Sequence, residues 1–131
     1  MKRPSNGIAT DAAHSTKNKL TRYRGIDLST GRQIFLEDLG NQTVNIGEFL
    51  GVVAAVKYII ENDFHPRVIY TDSITAITWF NNKRTASGKR NTELEKAGVF
   101  LKVFSAEVDK IDVLHWKNDL WGETPADFGC K

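Results

Sequence analysis

The sequence predicts an α/β fold in which a mixed five-stranded sheet carries helices on its faces, in the order βββαβααβα. The first third has short runs of alternating polar and apolar residues between turn-forming residues, which is typical of antiparallel strands. The remainder alternates between helical and strand periodicity, which indicates crossovers to parallel strands. One strand, Val68–Thr71, ends directly in Asp72. Open α/β sheets hold their ligands at that position.

Length and composition fit one globular domain. The chain has 131 residues, 40% of them hydrophobic and 26% charged, so we expect a single domain over residues 1–131 that acts as a monomer. The formal net charge is only +2, so affinity for nucleic acid would require local clusters of cations. A single cysteine, Cys130, indicates a reducing compartment. The sequence shows no signal peptide and no membrane-spanning run, so we expect a cytoplasmic protein without membrane contact.

The first three strands are predicted to form an antiparallel meander. Residues 7–13 fit a short buried strand with Asp11 near its middle, and the polar residues 14–19 fit a turn. Residues 20–28 alternate polar and apolar, as a strand with one face in water does. A hairpin turn containing glycine leads to the third strand, residues 33–39.

A helical period begins near Asn45, which fits an N-cap. Glu48 then falls at the third helical position, where the helix dipole favours a carboxylate. Apolar residues recur at helical spacing and predict a wide buried stripe: Phe49, Val52, Val53, Val56, Ile59 and Ile60. This helix is expected to end near Asn62–Asp63, before His65-Pro66.

The fourth strand, Val68–Thr71, is followed by a helix predicted to end near Asn82. Residues 83–91 fit a loop with four cations: Lys83, Arg84, Lys89 and Arg90. A solvated turn is the simpler interpretation of that loop when it is taken alone.

The remaining elements complete the predicted order. Thr92–Glu95 has the form of a capping box and opens a third helix that is expected to reach about Asp109. Residues 111–116 fit the fifth strand, and residues 117–122 a loop. A last helix is predicted to begin with Thr124 as its cap and the following proline at its first position.

Four acids can converge at one edge of this sheet. Asp11 and Asp72 are neighbours if the first and fourth strands are adjacent, while Glu48 and Asp127, each in a predicted first helical turn, can lean over the same edge. Clustered carboxylates repel one another unless cations neutralise them, and Mg²⁺ prefers such oxygen ligands. Two such ions roughly 3.5–4 Å apart can stabilise both oxygens of a phosphodiester displacement. The alternative is an accidental set, because the chain has 16 acids and helix N-termini attract acids for dipole reasons alone.

Four stretches closely resemble the catalytic domain of bacterial type 1 ribonuclease H, in matching order and spacing from about Gly7 to Lys131. They are Thr10-Asp11, Asn45–Leu50, Tyr70–Ser73 and Trp121–Gly129. The resemblance implies the ribonuclease H-like fold and an endoribonuclease that hydrolyses the RNA strand of RNA–DNA hybrids without sequence specificity. It implies 5′-phosphate and 3′-hydroxyl products and two Mg²⁺ ions, for which Mn²⁺ can substitute. We expect no separate hybrid-binding domain of the kind that related bacterial enzymes often carry.

The resemblance also assigns roles to the acids. Asp11 and Asp72 match acids that touch or bridge both metals. Glu48 matches the acid that holds one metal and contacts a ribose 2′-hydroxyl, and Asp127 matches the fourth metal ligand. Glu123 falls where related enzymes carry a mobile carboxylate linked to turnover and product release. An acid that merely precedes a helix is an equal alternative for Glu123.

Contacts with the substrate follow from the same resemblance. RNA is distinguished from DNA through its 2′-hydroxyl, which is accessible from the shallow minor groove. The first turn, residues 13–18, and Asn45 match the segments of the family that contact this hydroxyl. Thr43, Asn45 and Ser87 resemble a pocket for a DNA-strand phosphate, and the loop cations would attract phosphates. The glycine- and proline-containing turn common in the family is replaced here by residues 14–19. The expected substrate-binding residues are Asn18, Thr43, Asn45, Ser73, Ser87, Lys89 and Arg90.

Two other functions remain open from the sequence. One is a DNA-processing nuclease of the same superfold, such as an integrase-like enzyme or a junction resolvase, although Asn45–Leu50 and Trp121–Gly129 fit these poorly. The other is a non-catalytic module that binds RNA–DNA hybrids, against which the presence of all four acids argues.

Overall fold

The computed structural model of the chain describes residues 2–82 and 92–128. The strands are β1 Ile8–Ser15, β2 Leu20–Asp27, β3 Gln33–Asp38, β4 Val68–Thr71 and β5 Asp112–His115. The helices are α1 Val44–Asn62, α2 Ile74–Asn82, α3 Thr92–Val103, α4 Ser105–Val108 and α5 Asn118–Trp121. None of the helices in these ranges is both long enough and apolar enough to cross a membrane.

The five strands form one mixed sheet in the order β3-β2-β1-β4-β5. Strands β1, β2 and β3 pair antiparallel, whereas β4 is parallel to both β1 and β5. The predicted fold class, an antiparallel meander followed by parallel strands with flanking helices, is therefore confirmed. β1 pairs with β4 only through Ile8 and Ala9, so β1 continues well past the end of its parallel neighbour.

Helix α1 packs across one face of the sheet and supplies most of the core. Its inward residues are at most 3% exposed: Ile46, Phe49, Val52, Val53, Ala55, Val56 and Ile59. Trp79 of α2 packs edge-on against Phe49, with ring centroids 5.8 Å apart, so this tryptophan belongs to the core. Alternation along β1 separates the two faces of the sheet. Thr10 and Ala12 face α1, whereas Ala9 packs with Ile26 and Ala126 in a second, smaller cluster.

The start of α1 differs from the prediction. Its N-cap is Thr43, not Asn45, and the Thr43 side chain accepts a hydrogen bond from the Ile46 amide at 3.4 Å. The helix therefore begins two residues before the predicted start and includes Val44 and Asn45, both of which are exposed. Glu48 consequently lies in the second turn, and the first turn contains no acid. The helix dipole therefore does not account for Glu48.

The last predicted helix is absent from the described residues. Residues 124–128 form a turn in which the Asp127 amide donates to the Thr124 carbonyl at 2.9 Å. The short helix α5 instead lies within the segment predicted to be a loop, residues 117–122. The carbonyls of Ala126 and Asp127 accept hydrogen bonds from Arg24 of β2, so a partner distant in sequence shapes this segment.

Two other boundaries shift. The predicted third helix divides at Phe104 into α3 and α4, and the Phe104 ring packs on Phe100 with centroids 5.0 Å apart. β1 extends through Ser15, so the turn before β2 is shorter than the predicted residues 14–19. Pairing of β1 with β2 along their full length accounts for this extension.

Candidate metal centre at the ends of the central strands

Three acids meet at one edge of the sheet. One carboxylate oxygen from each of Asp11, Glu48 and Asp72 lies within 4.8 Å of the others. Asp11 in β1 and Glu48 in α1 are buried, and Asp72, directly after β4, is half-buried. Because β1 and β4 are adjacent and β4 stops at Thr71, the chain turns away there and leaves Asp72 beside the continuing strand β1.

Close packing of α1 on the sheet brings Glu48 to this edge. A Cβ atom at Gly47 would lie 2.8 Å from the Thr21 Cγ2 atom and 3.0 Å from the Ala12 Cβ atom, so only glycine allows this approach. The Ala12 amide, beyond the last residue pair of β1 and β4, donates to the Glu48 Oε1 atom at 2.5 Å. The Ala12 amide lies beyond the part of β1 that pairs with β4, and the Glu48 carboxylate accepts its hydrogen bond instead.

The surroundings of Glu48 favour its neutral form. The pKa of Glu48 is raised to about 9, first by burial and then by the negative charge and hydrogen bond of Asp11 and the charge of Asp72, while the Ala12 amide opposes the shift. Such an acid ionises readily only when positive charge enters the group. The donors are all carboxylate oxygens, which are the ligands that hard divalent cations prefer. The residues present therefore fit a divalent cation.

Asp72 is held by the elements around it. The Asn118 Nδ2 atom at the start of α5 donates to the Asp72 Oδ2 atom at 3.3 Å. The Trp116 amide donates to the Thr71 carbonyl at 2.7 Å and so fixes the residue before Asp72. Asn118 could not be singled out from the sequence, because its only signal is a position shortly after the fifth strand.

Asp127 is not a member of the three-acid group. It is half-buried, and it follows Ala126, whose side chain is fully buried against β1 and β2. Arg24, which lies directly opposite Asp11 in the antiparallel pair of β1 and β2, donates to the main-chain carbonyl of Asp127. The Asp127 backbone is thereby held beside the strand pair that carries Asp11.

The other residues predicted for the site are exposed, cap a helix or lie outside the described part of the chain. Glu123, Asn18, Thr43 and Asn45 are exposed. The Ser73 hydroxyl accepts a hydrogen bond from the Ala76 amide at 3.0 Å and so caps α2. The remaining predicted residues lie outside the described ranges: Ser87, Lys89 and Arg90.

The fold and the acids define an α/β protein with a candidate divalent-metal centre at the carboxyl ends of its central strands. No protein-family model matches the sequence. A solved ribonuclease H1, isolated from compost by a metagenomic approach, is 15% identical, with a TM-score of 0.58 over 86% of this chain and 84% of the other. The N-terminal ribonuclease H domain of Rv2228c from Mycobacterium tuberculosis, solved as a fusion with maltose-binding protein, is 11% identical, with a TM-score of 0.54 over 84% and 86%. The chain therefore has the ribonuclease H-like fold.

Proposed function

We propose that the chain is a metal-dependent ribonuclease H. In this proposal it hydrolyses the RNA strand of RNA–DNA hybrids at any sequence and leaves 5′-phosphate and 3′-hydroxyl ends. It acts as a single monomeric domain in the cytoplasm. The observation that carries the proposal is the meeting of Asp11, Glu48 and Asp72 on this particular fold, at the ends of its two central parallel strands.

The acids would hold two Mg²⁺ ions, or Mn²⁺ in their place, with Asp127 as the fourth ligand. When bound, such cations supply the charge that stabilises the attacking and leaving oxygens of a phosphodiester. Asp11 and Glu48 are positioned by β1 and α1 in the core, so their carboxylates are ordered before substrate arrives. Asp72 is oriented by Asn118. This order favours catalysis because little reorganisation is needed during the reaction.

The substrate surface of the proposal lies around the exposed ends of these elements. Thr43 and Asn45, at the start of α1, are exposed one turn before Glu48, where a nucleic acid strand could contact both them and the acids. A 2′-hydroxyl read beside Glu48 would distinguish RNA from DNA without reading bases. Glu123 stays in the proposal as an exposed carboxylate that assists turnover.

The test is cleavage of matched substrates of one sequence. A 5′-labelled RNA strand is presented as a hybrid, as single-stranded RNA and as double-stranded RNA, beside labelled duplex DNA, each with Mg²⁺, Mn²⁺ or chelator. We expect internal cuts in the RNA of the hybrid alone, only with cation, and 3′-hydroxyl ends on the labelled upstream products. Cleavage of duplex DNA in preference to the hybrid would instead favour a DNA-processing nuclease.

Asp72→Asn separates an enzyme from a binding module. This variant should bind the hybrid and fail to cleave it, because the substitution removes one negative ligand at the acid group while keeping the side-chain shape. A wild-type chain that binds the hybrid and never cuts it with either cation would make this protein a non-catalytic hybrid-binding module.

A further inference from the structure

Arg24 of β2 contacts the segment that carries Asp127 at three points. Its Nε atom donates to the Ala126 carbonyl at 2.7 Å, and its Nη2 atom donates to the Asp127 carbonyl. Its guanidinium also lies over the Phe128 ring, 4.8 Å from the centroid. The planar guanidinium thus holds two successive main-chain carbonyls and the following aromatic ring, a geometry that the single ammonium of lysine cannot reproduce.

The register of the sheet gives these contacts their importance. Arg24 is the cross-strand partner of Asp11, and side chains directly opposite in an antiparallel pair point to the same face. Ala126 packs on that face against Ala9 and Ile26. Residues 122–128 belong to no helix or strand, so tertiary contacts must fix where Asp127 lies relative to Asp11.

We propose that Arg24 is a positioning residue that docks the segment 126–128 onto the sheet and so holds Asp127 beside the strand that carries Asp11. The inference rests on the proposed function for its catalytic consequence, but the docking itself does not depend on it. Arg24 acts through main-chain carbonyls and contacts neither substrate nor cation in this proposal. Outer residues that orient metal ligands commonly change metal affinity or activity by about 10- to 100-fold when replaced.

The first experiment compares Arg24→Gln, Arg24→Lys and the control Arg22→Gln on hybrid cleavage. Arg22 lies two residues away on the same strand and pairs with Asp38 of β3 at 2.9 Å. The hydrogen bonds to the Ala126 and Asp127 carbonyls come from Arg24, so replacing Arg22 removes an equal charge and leaves both bonds in place. For Arg24→Gln we expect kcat to fall about 10- to 100-fold and the Mn²⁺ concentration for half-maximal rate to rise, with KM for the hybrid within about threefold. Arg24→Lys should be intermediate, and Arg22→Gln should keep the wild-type dependence on Mn²⁺.

The second experiment measures hydrogen–deuterium exchange of the metal-free proteins. In Arg24→Gln the amides of residues 123, 124 and 126–128, including the Asp127 amide, should exchange faster than in wild type, while those of β1 and α1 keep their protection. If Arg24→Gln unfolds globally, Arg24→Lys, which keeps the charge and most of the stem, supplies the same comparison. Unchanged exchange in the segment overturns the docking role, whatever the activity.

The two experiments separate the two proposals. If wild type cleaves no hybrid, the proposed function fails, while the exchange data still decide whether Arg24 docks the segment. If wild type cleaves and Arg24→Gln loses kcat with faster exchange confined to the segment, the inference holds. A change in KM alone, shared with Arg22→Gln, would overturn the positioning role and make Arg24 a general contributor of charge.

Discussion

The Glu48 carboxylate accepts a hydrogen bond from the Ala12 main-chain amide, which joins the second turn of α1 to the residue after Asp11. This bond places the buried carboxylates of Glu48 and Asp11 close together, in a group that also includes Asp72. The fold thereby concentrates negative charge where burial already disfavours ions. Burial and the neighbouring charges make this group costly in the absence of cations, and the Ala12 amide offsets only part of that cost.

Divalent cations should stabilise the folded chain. We expect saturating Mg²⁺ or Mn²⁺ to raise Tm by several degrees, because a ligand that binds only the folded state stabilises it by mass action. Glu48→Gln should raise Tm of the metal-free protein and remove most of the response to cation. Differential scanning calorimetry with chelator and with cation measures both, and Glu61→Gln, an exposed acid on the same helix, is the control that should behave as wild type. An equal response to cation in Glu48→Gln would contradict the assignment of Glu48 to the metal centre.

Stability of the metal-free protein should fall as pH rises. Burial, with the charges of Asp11 and Asp72, raises the pKa of Glu48 from 4.5 to about 9, so the folded state binds a proton that the unfolded state releases. The contribution of neutral Glu48 is therefore complete below about pH 4.5 and is lost as pH rises toward 9; at pH 7 the loss is on the order of 3 kcal/mol. The measurement is the free energy of unfolding by urea from pH 5 to 8.5, compared between wild type and Glu48→Gln. The two curves should diverge with pH in chelator and run parallel in saturating Mg²⁺, and parallel curves in both media would refute the prediction.

Gly47→Ala should destabilise the fold and reduce cleavage. The new Cβ would lie 2.8 Å from the Thr21 Cγ2 atom, and Thr21 cannot easily rotate because its hydroxyl bonds to the Gln42 carbonyl and to the His14 Nδ1 atom. We expect a net loss of about 1–2 kcal/mol in the free energy of unfolding and a lower kcat, because α1 must move Glu48 away from Ala12. The matched control is Gly98→Ala in α3, where a Cβ meets nothing within 4 Å, so helix propensity should stabilise the protein by about 0.5–1 kcal/mol. Chemical denaturation and hybrid cleavage of the two variants provide the comparison.

Asn118→Ala should impair the rate more than it impairs hybrid binding. It removes the donor that orients the Asp72 carboxylate, and loss of one such hydrogen bond costs about 3- to 10-fold in kcat. Steady-state kinetics would show KM unchanged. Asp119→Asn, an exposed neighbour in α5, is the control and should retain the wild-type rate. Equal effects of the two substitutions would mean that Asn118 does not act through Asp72.

The fold and the pairing of Asp11 with Asp72 could be predicted because their signals are local. Strand alternation, turn residues and helical spacing each occupy a short window, and together they fix the order of the elements. An acid at the end of the strand Val68–Thr71 then lies at the ligand-binding edge of the sheet. The adjacency of β1 and β4, on which the meeting of Asp11 and Asp72 depends, is a condition of the prediction and is observed in the strand order of the structure.

The incorrect predictions include the start of α1 and the last helix, and at the last helix contacts between residues distant in sequence determine the local structure. Thr43 and Asn45 are both good caps, and in the structure the Thr43 side chain accepts the hydrogen bond of the Ile46 amide, so the helix begins at the earlier one. Thr124-Pro125 has the local form of a helix start, but Arg24, about a hundred residues earlier, holds the following carbonyls in a turn. No local pattern marks Arg24, because its partners are separated from it by 102 and 103 residues.

Asp11 lies on a strand with α1 on one face and the segment 126–128 on the other, and this arrangement has an evolutionary consequence. Glu48 belongs to the main core, where a substitution threatens the whole fold. Asp127 belongs to the short segment 126–128, which packs on a small separate cluster. We expect natural variants to adjust their turnover through this segment while the helix side changes little, since substitutions in a well-packed core cost the most stability.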